Sequence, residues 1–328
     1  MKGKVKIGLL GVGHLGRIHL RLLKEIEGFH IVGFYDPDDE AAQQAALEFE
    51  AKRFADPATL IAECDAIDIV TPTMTHFEMA VMALKKGRHI FIEKPLTHTL
   101  EEARKLHKLI DEARVQCMVG HVERFNPAFL SVQPKQLNPL FIEVHRLAQF
   151  NPRGTDVSVV HDLMIHDIDL ILSMVKGNIK RISASGVPIV SDTPDIANAR
   201  IEFDNGCVAN ITASRISIKN MRKMRIFQHG AYVSMDFLER KAEVFSISDI
   251  PGNHPQQFEV DLAEKGKKYI TYEKPEPPES NAIRTELEHF LRAIQTNQPA
   301  PVTALDGLMA MEVGHKILEK IKRAAAGL

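Results

Sequence analysis

The chain has 328 residues, 45% of them hydrophobic and 26% charged, a length and composition that give two globular domains and exclude disorder or a fibrous repeat. With 41 Lys and Arg against 43 Asp and Glu, and no long basic run, nothing suits a nucleic-acid backbone. No apolar stretch approaches the ~20 residues that cross a bilayer, so no membrane role is expected.

Cys64, Cys117 and Cys207 lie far apart, without the CxxC or CxxH spacing of a zinc site or redox pair. They read as reduced, buried thiols, and no metal is expected. Lysines ahead of the first apolar run could suggest a leader peptide. That run stops at Gly11-Val12-Gly13-His14 without a small-residue cleavage site, which makes the cytoplasm the expected location.

Val5–Leu10 is a compact apolar run, broken by glycines at 11, 13 and 16, after which Leu15, Ile18, Leu22, Leu23 and Ile26 recur at helical spacing. This reads as strand, tight turn, helix. The next strand covers 30–35 and ends at Asp36-Pro37; an alanine-rich helix follows over 39–50. A strand over 66–70, a helix over 77–86, a strand over 89–92, a helix over 100–114 and a strand over 115–119 complete a β/α alternation. Such alternation calls for a parallel sheet covered on both faces, placing the first domain at 1–122.

Beyond it the pattern changes. A helical stretch over 159–175 precedes strand-like runs at 180–187, 196–203, 207–216 and 224–229, with Asp204-Asn205-Gly206 and His229-Gly230 placed as hairpin turns. The expectation is an α+β domain over 123–328 with a mostly antiparallel sheet. Residues 251–280, rich in Pro, Glu and Lys, read as irregular, and 281–294 and 305–324 as closing amphipathic helices.

Gly11-Val12-Gly13-His14-Leu15-Gly16 is a GxGxxG between a strand and a helix, the pattern that admits a pyrophosphate to the backbone at a positively polarised helix end. Asp36 closes the second strand twenty positions after Gly16, where an acid bonds the ribose hydroxyls of a dinucleotide. A carboxylate there repels a 2′-phosphate and no arginine directly follows it, so NAD is expected rather than NADP. His14 need not touch the cofactor.

Three further groups stand out: Thr71-Pro72-Thr73 with His76, then Glu93-Lys94-Pro95, then Asp162 with His166. The first two occupy strand ends, where ligands of open α/β sheets gather. Asp162 and His166 are four apart in a helical pattern and share a face, so the acid can orient the imidazole. Thr73 and His76 either contact the cofactor's ribose or begin the next helix through a Thr75 cap.

The order GxGxxG, Glu93-Lys94-Pro95, then Asp-x3-His resembles the Gfo/Idh/MocA oxidoreductase family along the whole chain. Gly120-His121-Val122-Glu123-Arg124-Phe125-Asn126-Pro127-Ala128 and Asp162-Leu163-Met164-Ile165-His166-Asp167-Ile168-Asp169 resemble its branch that oxidises UDP-N-acetylglucosamine-type sugars at C3. The resemblance implies a Rossmann dinucleotide-binding domain joined to an α/β domain whose large open-faced sheet makes homodimers or homotetramers. It also implies that Glu93 and Lys94 lie at the cofactor, with Lys94 beside the reacting hydroxyl, and that Asp162 and His166 form the family's acid and histidine pair. His166 is the preferred base and Lys94 the other candidate. Many relatives carry Gly-Gly shortly before the acid; Ser158-Val159-Val160-His161 departs from that.

Arg124 and Asn126 either contact a diphosphate or sugar, or Asn126-Pro127 only starts a helix. A free polyol or monosaccharide is the near alternative as substrate. NAD-dependent glycoside hydrolysis and a non-catalytic NAD sensor are more distant ones.

Overall fold

The computed structural model describes all residues except 1–2, 134–135, 152–156, 262, 264–265 and 327–328. It divides into two compact units, 1–122 with 281–312 and 123–280 with 313–328. Residues 281–312 group with the first unit although they follow the second in sequence.

In the first unit, β1 (Val5–Leu10), α1 (His14–Glu25), β2 (Phe29–Tyr35), α2 (Asp39–Phe49) and the short α3 (Pro57–Glu63) lead to β3 (Ala66–Ile69). Then come α4 (His76–Leu84), β4 (His89–Glu93), α5 (Leu100–Ala113) and β5 (Cys117–Gly120). The strands pair in parallel in the order β2-β1-β3-β4-β5. β1 and β3 are neighbours although β2 lies between them in sequence, so the strand order reverses there and opens a crevice at their carboxyl ends. Ile7, Leu9, Ile67, Ile69, Ile90, Phe91 and Ile92 are fully buried, as strands covered on both faces must be. α5 carries a complete capping box between Thr99 and Glu102. The returning helix α8 (Ala282–Thr296) packs against α1 and β5, and its Phe290 ring meets Phe91 edge-on at 5.8 Å.

In the second unit, α6 (Pro127–Ser131), β6 (Phe141–Leu147) and a π-helical turn (Val160–Met164) running into α7 (Ile165–Met174) precede the remaining strands. These are β7 (Ile179–Val187), β8 (Ile196–Phe203), β9 (Val208–Ser214), β10 (Met221–Gln228), β11 (Ala231–Asp236), β12 (Lys241–Ser248), β13 (Gln257–Asp261) and β14 (Lys267–Glu273). They form a nine-stranded sheet in the order β13-β14-β12-β11-β10-β6-β9-β8-β7, antiparallel except for the parallel pair β6 and β9. The irregular reading of 251–280 is corrected: within it β13 and β14 pair from Gln257↔Thr271 to Asp261↔Lys267. Edge strand β13 alternates Gln257, Glu259 and Asp261 with apolar residues, and β14 begins Lys267-Lys268, which hid the strand signal; 262, 264 and 265 lie outside the described residues. The last helix, α9 (Ala304–Ala325), belongs to the first unit up to Glu312 and to the second from Val313.

Candidate active site

The nucleotide half of the site follows from strand order. Leu10 pairs with Tyr35 on one side and Ile69 on the other, so Gly11 emerges between the ends of β2 and β3. Gly11 has φ +93°, and a Cβ on it would lie 2.6 Å from the Val70 carbonyl oxygen. A Cβ on Gly16 would lie 2.0 Å from the Gly11 carbonyl oxygen, whereas one on Gly13 would meet nothing within 4 Å. The turn is thus closed from below at Gly11 and Gly16 and open above Gly13, where a pyrophosphate needs backbone approach.

Gly13 caps α1 without a side-chain hydrogen bond, and no acidic residue stands in its first turn. The helix end is therefore left electropositive. His14 is exposed and Leu15 half-buried beside it. Asp36 is buried, and its carboxylate accepts from the backbone N–H of Val12 at 2.7 Å and of Asp38 at 2.9 Å. Its position next to the glycine turn is fixed before any ribose arrives. The donor set fits NAD: an open glycine cradle, an uncapped helix end and a pre-set acid. One residue escaped sequence reasoning, because no arginine follows Asp36 directly: Arg53 donates to the Asp36 carbonyl at 3.2 Å and to Asp39 at 2.5 Å.

At the end of β3, Thr71 and Thr73 are half-buried, and His76 is buried. The His76 ring nitrogens lie 2.9 Å from the Thr71 carbonyl and 3.0 Å from the Pro95 carbonyl, so the side chain ties the loop after β3 to the loop after β4. Burial pushes its pKa down. Thr75 is the N-cap residue of α4, but its hydroxyl, bonded to the Pro72 carbonyl and paired with the Thr71 hydroxyl, accepts from no helix N–H.

Glu93 ends β4 opposite Gly120, and its Oε2 accepts from the Lys94 N–H at 3.1 Å. Lys94 is half-buried. Behind it lie three side chains that sequence reasoning did not assign. His19 of α1 contacts Asp68 of β3 through Nδ1 at 2.9 Å and Glu93 through Nε2 at 3.4 Å, with Glu286 of α8 beside them. All four are at most 8% exposed. One signal was available: Asp68 is a charge inside an otherwise apolar buried strand.

Asp162 and His166 belong to the second unit and are half-buried. Asp162 sits in the π turn and His166 at the start of α7, so the expected regular helix begins with a widened turn, a feature frequent at functional sites. Gly314 of α9 makes room for the neighbouring His161, whose ring lies 3.0 Å from where a Cβ would stand.

The two branch-like segments are pinned together by buried ion pairs. Arg124 forks onto Asp169 at 2.7 and 2.8 Å, while Arg146 of β6 forks onto Asp167 and also reaches Glu123 at 2.8 Å. Against the effect of burial, these two carboxylates raise the pKa of Arg146 and keep it charged. The fork expected on a phosphate is thus engaged by a carboxylate. Asn126 caps α6 by accepting from Ala128 N–H, and its amide donates to Glu123 and the Phe237 carbonyl. Of its two readings, the helix start is present in the structure.

The geometry of the first unit defines an NAD-binding oxidoreductase of Rossmann type. The family described as "Oxidoreductase family, NAD-binding Rossmann fold" matches residues 5–121, and the GFO/IDH/MocA C-terminal domain matches residues 105–232. The chain is 36% identical over 301 residues to the UDP-N-acetylglucosamine 3-dehydrogenase of Acidithiobacillus ferrooxidans, covering 90% of each. It is 27% identical over 333 residues to the scyllo-inositol 2-dehydrogenase (NAD(+)) of Bacillus subtilis, covering 96% of this chain and 93% of that one. A solved structure of the Acidithiobacillus enzyme superposes with a TM-score of 0.87 at 34% identity, covering 97% of each chain. The chain belongs to the Gfo/Idh/MocA oxidoreductase family.

Proposed function

We propose that this chain oxidises a secondary hydroxyl of a nucleotide-linked sugar, at C3 of a UDP-N-acetylglucosamine-type substrate. The observation that carries the reading is the 36% identity to a UDP-N-acetylglucosamine 3-dehydrogenase along nine-tenths of both chains. Bound NAD supplies the hydride acceptor. His166 removes the hydroxyl proton, Asp162 orients its ring, and the Lys94 ammonium steadies the negative charge that develops on oxygen. The products are a 3-keto sugar, NADH and a proton. Three free, buried thiols, with pKa values pushed by burial to about 12 for Cys64 and Cys117 and about 11 for Cys207, suit a reducing cytoplasm.

The test is NADH absorbance with NAD and UDP-N-acetylglucosamine, its glucuronic acid analogue and inositol in parallel. NADH accumulation with the first substrate is expected. A response to inositol alone would transfer the activity to polyols, the reading favoured by the Bacillus relative.

The wide sheet supports self-association. Phe141, Phe227, Tyr232, Phe245 and Tyr272 stand in register across β6, β10, β11, β12 and β14, with ring centroids 4.6–6.0 Å apart. They occupy the half-exposed and exposed positions that alternate with buried Ile142, Ile226 and Val233. A continuous aromatic rung facing water suits burial against a second copy, giving a homodimer or homotetramer. Light scattering on Phe227→Glu is expected to show a smaller particle than the native protein; an unchanged mass would remove the rung from the interface.

A further inference from the structure

The cluster behind Lys94 brings three carboxyl groups and one imidazole together from four elements: His19 of α1, Asp68 of β3, Glu93 of β4 and Glu286 of α8. One atom each of His19, Glu93 and Glu286 lies within 4.8 Å of the other two. Both carboxyl oxygens of Glu286, Oδ1 of Asp68 and Nε2 of His19 are buried without a hydrogen-bond partner. The walls are apolar, with Phe91 edge-on to the His19 ring at 5.7 Å and Phe290 behind it.

Three ionised carboxylates against one imidazolium would leave two negative charges in a buried site, and burying charge without compensation costs several kcal/mol per ion. A proton on one carboxyl removes most of that cost.

We propose that Glu286 holds a buried proton against Glu93 and that, with the imidazolium of His19, it fixes the Glu93-Lys94 turn, making Glu286 and His19 positioning residues for Lys94. The inference rests on the reading of Lys94 given above. Glu93 is the link, because its Oε1 faces His19 while its Oε2 accepts from the Lys94 N–H. Gly120 at the end of β5 leaves room for it, since a Cβ there would lie 2.6 Å from Glu93 Oε1.

The electrostatics agree with the geometry. Burial, then the charge of Glu93, raises the pKa of Glu286 well above the usual carboxyl range. Burial raises Asp68 as well, against the pull of His19. Burial alone would lower His19, but Asp68 and Glu93 raise it well above the ordinary imidazole value. When Glu286 ionises as pH rises, its charge repels Glu93 and loosens the turn.

Infrared spectroscopy of the native protein carrying isotope-labelled glutamate reads the proton directly. A carbonyl band of a protonated glutamic acid, present at neutral pH and lost at alkaline pH, is expected; its absence, or one equivalent of tightly bound divalent metal by elemental analysis, overturns the proposal. Kinetics read the positioning. Glu286→Gln, which keeps a neutral amide in place, is expected to retain kcat within about threefold while removing an alkaline fall in kcat, and His19→Leu to lower kcat by about 10- to 100-fold with KM little changed. A Glu286→Gln enzyme with the native alkaline limb, or a His19→Leu enzyme with native kcat, contradicts it. The two readings separate cleanly: native turnover in Lys94→Met would refute the role of Lys94 while the infrared band still reports the proton.

Discussion

The position that allows least change is Gly16. Its Cβ would stand 2.0 Å from the Gly11 carbonyl oxygen, backbone against backbone, so no flexible side chain can yield. Gly16→Ala is expected to destabilise the protein by about 1–3 kcal/mol by denaturant unfolding and to abolish measurable NAD binding by calorimetry. Native affinity would show that the turn can move. GxGxxG and Asp36 were legible in the sequence because each is tied to one local backbone need. The fates of Arg124, Asn126 and His76 were not, because their partners Asp169, Phe237 and Pro95 are distant in sequence. Polar residues beside a site read alike whether they face a ligand or each other.

At the scale of elements, alternating β/α units were readable because strands buried on both faces give continuous apolar runs; short α3, with Asp56 as its cap, was too brief to register. β6, β11 and β12 were missed because their exposed positions carry aromatics and charges that blur the period of two. The π turn before α7 leaves no mark on spacing, since Asp162 and His166 stay four apart either way. In the loop before β8, buried Asp195 accepts from the N–H groups of Ile189, Val190 and Ser191 and from the Ser191 hydroxyl. Burial opposes ionisation there, but these donors win and hold the carboxyl well below its usual range. A depressed folded pKa gives stability that is present above the ordinary carboxylate value and lost as pH falls through the folded one. Asp195→Asn is accordingly expected to cost about 1.5–3 kcal/mol at neutral pH, with the difference from native shrinking in acid, by chemical denaturation.

For the whole molecule, the sequence supported two domains but could not show that 281–312 returns to the first unit, because amphipathic helices do not name the sheet they cover. No described helix is long and apolar enough to cross a membrane. Two sets of buried groups depend on pH in opposite senses. In the first, His19, Asp68 and Glu286 all have raised pKa values, so the stability they contribute is present at low pH and lost as pH rises through those values. In the second, the depressed carboxyl of Asp195 loses its contribution in acid. The account stands or falls on Lys94 and His166 acting in the chemical step. Stopped-flow measurement of hydride transfer in a single turnover, with NAD affinity determined on the same Lys94→Met and His166→Ala proteins, tests this most directly. The rate is expected to fall by about 10²–10⁴ with NAD affinity near native; a near-native rate in either variant would contradict the account.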